Sequence, residues 1–92
     1  MGSIYKALAD PTRRKILQLL RDGELNAGEI ADNFSFAKPT ISRHLTVLRE
    51  ADLVQSTKDG TTINYRLNAS VLEDAILSMM DMFKVSAGEH DE

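Results

Sequence analysis

Ninety-two residues, 42% apolar and 27% charged, suffice for one small globular domain and exclude collagen-like and wholly disordered classes. The absence of cysteine excludes disulfides and thiolate-based metal or redox sensing, and no uncharged apolar run reaches signal-peptide or membrane-span length, so a cytoplasmic protein without membrane insertion is expected. The net charge of −3 conceals a segregation: residues 37–66 hold five basic groups against three acidic ones, and residues 67–92 hold one against six, which puts any polyanion-binding face in the middle third.

A short first helix is predicted over 4–9, with Ile4, Ala7 and Leu8 on one face, and it ends at Asp10-Pro11. Asp10 then caps a second helix from Pro11 to about Arg21, whose Ile16, Leu19 and Leu20 recur at helical spacing before Asp22-Gly23 stops it. Asn26-Ala27-Gly28-Glu29 is a capping-box signature and opens a short third helix with Ile30, Ala31 and Phe34 inward. After a turn at Ser35-Phe36-Ala37, Pro39 sets the start of a fourth helix that buries Ile41, Leu45 and Leu48. Two β-like runs, 53–58 and 61–67, flank Asp59-Gly60, which predicts a hairpin with a type I′ turn. A second capping box, Ser70 to Glu73, opens a final helix to about Val85, leaving a polar tail. The expected fold is mainly α with a two-stranded β-hairpin, in the order α-α-α-α-β-β-α.

Two short helices joined by a tight turn, the second showing polar groups opposite an apolar stripe, describe a helix-turn-helix, and the hairpin behind them describes a wing. On the fourth helix the face opposite the stripe carries Pro39, Arg43 and Thr46, flanked by Thr40 and Ser42. Short hydroxyls and an arginine in the N-terminal half suit base edges in a major groove, and Lys38 with the helix N-terminus suits phosphate. A solvated amphipathic face is the plain alternative for the helix alone, but such a face does not by itself call for a wing.

The stretches Ala9 to Leu17 and Lys38 to Leu45, with Leu48, Leu53-Val54, Gly60, Tyr65 and Leu67, resemble the ArsR (arsenic-repressor) family, in particular its metal-independent autorepressors, over residues 3 to about 84. That resemblance implies a dimeric winged helix-turn-helix repressor of double-stranded operator DNA over 1–85, with 86–92 a disordered tail. Its recognition helix would be 38–51 and its wing tip 58–62. By motif position Lys38, Pro39, Thr40, Ser42 and Arg43 would meet the major groove, with Lys58 and Thr61 on the wing, and the first and last helices would form the dimer. The inducing signal is left open, a protein anti-repressor as well as a small molecule. Two departures from the family pattern bear on the ends of the recognition helix: Ala37 where a serine cap is usual, and Asp52 where a glycine is common.

The last helix is apolar too far around to cover only one small core. Leu72, Ile76, Met79, Met80 and Phe83 make one stripe, and Val71, Ala75, Leu77 and Met82 widen it. An identical helix from a second subunit is the simplest cover, joined through the resemblance by Ile4 and Leu8 of the first helix. No cofactor is expected. For metal, residues 70–85 offer Glu73, Asp74 and Asp81 without a histidine, and carboxylates alone hold hard ions weakly, so no metal site is expected. His44 reads as a half-buried structural histidine, since Ser42, two residues away on the same helix, cannot face it as a nucleophile. With no catalytic set elsewhere, an enzyme lacks a site; a winged-helix protein-interaction module would have lost the Lys38, Arg43 and Lys58 that this chain keeps.

Overall fold

A computed structural model describes residues 2–84 as α1 (Gly2–Leu8), α2 (Pro11–Leu20), β1 (Leu25–Asn26), α3 (Ala27–Ala31), α4 (Lys38–Glu50), β2 (Val54–Asp59), β3 (Thr62–Leu67) and α5 (Ala69–Met82). The order is therefore α-α-β-α-α-β-β-α, and the hairpin is part of a three-stranded antiparallel sheet ordered β1-β3-β2. β1 escapes a search for periodicity because it is two residues long and is defined only by its partner, pairing Leu25 with Tyr65 and Asn26 with Asn64. The pairing ties the start of α3 to the root of the wing.

Local chemistry sets most helix ends. Asp10 accepts from the Thr12 and Arg13 N–H groups at 2.8 and 3.2 Å, and Asn26 and Glu29 close their box at 2.8 and 2.9 Å. At the end of α4, Asp52 takes the left-handed conformation (φ 62°), its N–H donating to Arg49 and that of Leu53 to Leu48, a Schellman motif with aspartate in the glycine position. Leu48 and Leu53 are fully buried at that corner, supplying the apolar contact that accompanies the motif. Ala37 makes no side-chain cap, as its methyl requires.

Two expectations fail. The Ser70 box does not form: Asn68 is the residue preceding α5, and its N–H is pinned to the Leu53 carbonyl at 2.9 Å, so Ala69 and Ser70 already lie in the first turn. The hairpin turn sits one residue later than Asp59-Gly60, because Asp59 pairs with Thr62 and leaves Gly60-Thr61 as the loop. Only Gly60 has positive φ (65°), the sign pattern of a II′ turn rather than I′. The helix end expected near Val85 and the tail 86–92 lie outside the described residues, where α5 closes at Met82.

Ile16, Ile30, Ile41, Leu45, Leu48, Leu53 and Val54 are the fully buried large side chains, one or more from α2, α3, α4 and β2. Each contributes roughly 1.5–3 kcal/mol by leaving water. Their convergence fixes α3 and α4 against α2 and leaves the other side of α4 outward.

Candidate nucleic-acid interface

The turn between α3 and α4 is held by aromatics. Phe36 stacks on Phe34 at 5.7 Å between centroids, and the Lys15 ammonium lies 5.8 Å from the Phe34 ring. This clamp steadies an approach to α4 that no side-chain cap supports. Pro39 brings no N–H and the Thr40 N–H is taken by the Ala37 carbonyl at 3.0 Å, so Lys38 carries the first free backbone donor of the helix as well as an ammonium.

With Ile41, Leu45 and Leu48 inward, Lys38, Pro39, Ser42, Arg43 and Thr46 are exposed and Thr40 is half-buried. These residues form one outward surface. Thr46 is partly committed, its hydroxyl donating to the Ser42 carbonyl at 3.0 Å, which leaves oxygen lone pairs and a methyl for any outside contact. Among the described residues Lys38, Arg43 and Lys58 make no ion pair. Arg66 differs: it donates to Gln55 at 3.1 Å and faces Glu24 at 3.9 Å, bracing the root of the wing. The outward positive charge is therefore narrower than the count over 37–66 suggests.

Lys58 and Thr61 stand on the exposed tip of the wing. Between wing and helices runs an open cleft of about 450 Å³ of mixed polar and apolar lining, formed by Asn26, Gly28, Ser42, Thr61, Thr62 and Tyr65 among others. Asn26 and Tyr65 are absent from the sequence-derived set because only the β1–β3 pairing brings them to the cleft that Ser42 lines. Of the expected site residues, this cleft brings Ser42 of α4 and Thr61 of the wing together.

Arg13 links α2 to both α1 and α4. Arg13 donates through Nε to the Ala7 carbonyl at 2.9 Å and through a terminal nitrogen to that of Lys6 at 3.0 Å, while Arg14 donates to Leu8 at 2.8 Å. Two cations of α2 thus satisfy the last carbonyls of α1, where the helix dipole favours them. The other terminal nitrogen of Arg13 lies 3.3 Å from Nδ1 of His44, which is half-buried. Burial alone would raise the Asp10 carboxyl. Hydrogen bonds from the Arg13 and Thr12 backbone, with the nearby charges of His44 and Arg13, outweigh that and hold it below the ordinary carboxylate value. No group of three or more metal-ligating side chains occurs among the described residues.

Residues 10–56, from the cap of α2 to the start of the wing, match the model of the bacterial regulatory protein arsR family. The chain belongs to the arsR family. It is 43% identical to the transcriptional repressor SdpR of Bacillus subtilis, over 99% of both chains. An arsenical resistance operon repressor of Staphylococcus aureus shares 39% identity over 86% of this arsR-family chain and 76% of its own length. Among solved structures, an ArsR-like transcriptional regulator from Rhodococcus sp. RHA1 superposes with a TM-score of 0.82 at 29% identity, covering 90% of this chain and 76% of that one. The winged helix-turn-helix architecture is common to them.

Proposed function

We propose that this arsR-family chain is a sequence-specific DNA-binding transcriptional repressor, an autorepressor that grips a two-fold operator as a dimer. The observation that carries it is the outward face of α4, where Lys38, Ser42 and Arg43 stand exposed on a helix whose opposite side is locked into the core. Arg43 would read a base edge, Ser42, Thr40 and Thr46 would offer short hydrogen-bonding groups, and Pro39 would pack against the groove wall. Lys38, Lys58 and Thr61 would hold phosphate. The protein is a regulator and not an enzyme.

The dimer reading rests on α5, which leaves Ile76, Leu77, Met82 and Phe83 exposed by 45 to 69%. Beside it a largely apolar cleft of about 540 Å³ is walled by Leu8, Leu17, Leu72, Ile76 and Met79, with Arg14 and Arg21 among its walls. The α5 of a second copy brings apolar residues together with Glu73, Asp74 and Asp81, and so matches the cleft in both polarity and charge. Met80 and Phe83 would lie at the centre of that contact, Ile4 and Leu8 of α1 at its border, and Leu72 would contribute least because it packs on its own core.

Footprinting the purified chain on the DNA upstream of its own coding sequence tests the proposal. A two-fold protected site is expected. With about four lysine–phosphate contacts per dimer, the logarithm of affinity should fall against the logarithm of salt concentration with a slope of roughly −3 to −5. No protection, or an affinity flat from low to physiological salt, refutes the reading.

A further inference from the structure

α4 enters its proposed groove with an uncapped end, and the buried contacts of Ile41 and Leu45 that hold it are apolar and hence non-directional. They permit a small roll of the helix about its axis. The directional contact on this side of α4 comes from Arg13, whose planar guanidinium is oriented by two carbonyls of α1, Lys6 and Ala7, and presents its remaining terminal nitrogen to His44 at 3.3 Å. His44 follows Arg43 directly in the chain, so a roll that moves one moves the other.

We propose that His44, held by Arg13, is a positioning residue for base readout, fixing the roll of α4 against α1 and α2 and thereby the aim of Arg43. This rests on the DNA-binding reading above. Because the arginine has only donors, His44 accepts at Nδ1 and carries its proton on Nε2.

The test separates aim from attraction. Duplexes selected by the wild-type chain from a random library serve as the specific probe, and scrambled duplexes of equal composition as the non-specific one. A misaimed recognition helix loses base contacts but keeps its phosphate attraction. His44→Leu is expected to lower the ratio of specific to non-specific affinity about tenfold, with non-specific affinity unchanged. His44→Asn, which retains an acceptor near the position of Nδ1, restores the ratio. A His44→Leu ratio equal to wild type overturns the proposal, as does a parallel loss of both affinities together with a lowered melting temperature. A wild-type chain that selects no sequence overturns the DNA-binding reading itself.

Discussion

α4 and α5 are nearly the same length, 13 and 14 residues, and turn opposite chemistry outward. α4 buries Ile41, Leu45 and Leu48 and exposes lysine, arginine and hydroxyls, whereas α5 buries Ala75 and exposes isoleucine, leucine, methionine and phenylalanine. A helix whose apolar residues are all spent inward has only its polar face to offer a polyanion. A helix with more apolar surface than its own core can cover still requires another protein surface. The contrast divides the molecule into a side proposed to face DNA and a side proposed to self-associate, and each side can be broken separately.

The largest effect is expected from α5. Replacing Met79 and Phe83 together with glutamate should yield monomers by light scattering and weaken operator binding by roughly 10²-fold or more, since a lone subunit forfeits the gain of binding both half-sites at once. Charges at these positions lie away from the outward face of α4, so the secondary structure should persist in circular dichroism. A double variant that stays dimeric and binds normally would place the interface elsewhere and remove the division drawn above.

Arg43→Ala should cost about 1–3 kcal/mol of operator affinity if its fork spans the two acceptors of a guanine, and base preference should relax at one position per half-site. The monomer–dimer equilibrium should not move. Equal weakening on every sequence would instead make Arg43 a phosphate contact and leave base readout to the hydroxyls.

What the sequence reveals and conceals follows from the range of the interactions. The Asp10 cap, the Asn26 box and the α4 stripe from Ile41 to Leu48 are legible because each is decided within one short stretch of chain. Arg13 and His44 meet across 31 positions, and Asn26 and Tyr65 line one cleft only through strand pairing, so no local pattern announces them. Ser70 shows the converse error. Its capping box is locally sound, but the tether from Asn68 to Leu53 starts the helix earlier than local preference does. The hairpin turn shifts by one residue for a similar reason, its position being set by the pairing of six-residue strands and not by the dipeptide alone.

Between the two sides lies the Asp10 cap, which serves the scaffold and neither surface. Asp10→Ala should cost about 1 kcal/mol of folding stability by removing the acceptor for the Thr12 and Arg13 N–H groups. The folded carboxyl titrates below its unfolded value of about 3.9, so its contribution is present above that pH and is lost as pH falls through the folded value. Denaturant unfolding of wild type and variant should therefore differ at neutral pH and converge in acid. A gap that persists undiminished at the lowest pH would mean that the carboxylate charge plays no part in it.

The smallest effect sharpens the DNA-facing side at its weakest point. Ala37 already has the extended backbone of an N-cap, with φ −67° and ψ 151°, but its methyl cannot accept a hydrogen bond. Pro39 removes one of the donors a cap would serve, and the Thr40 N–H is held by the Ala37 carbonyl in a tightened first turn. In Ala37→Ser the hydroxyl can accept from Thr40, freeing that carbonyl for Ile41, its regular helical partner at 3.3 Å. Full capping gains are about 1 kcal/mol, and with one donor absent and another already satisfied roughly half of that is expected. The gain should appear as a slightly higher denaturation midpoint and as slower amide exchange at Thr40 and Ile41, with that of α5 unchanged. If the variant is no more stable and exchange at these amides does not slow, the aromatic clamp of Phe34, Phe36 and Lys15 already holds the start of α4 as firmly as a cap would.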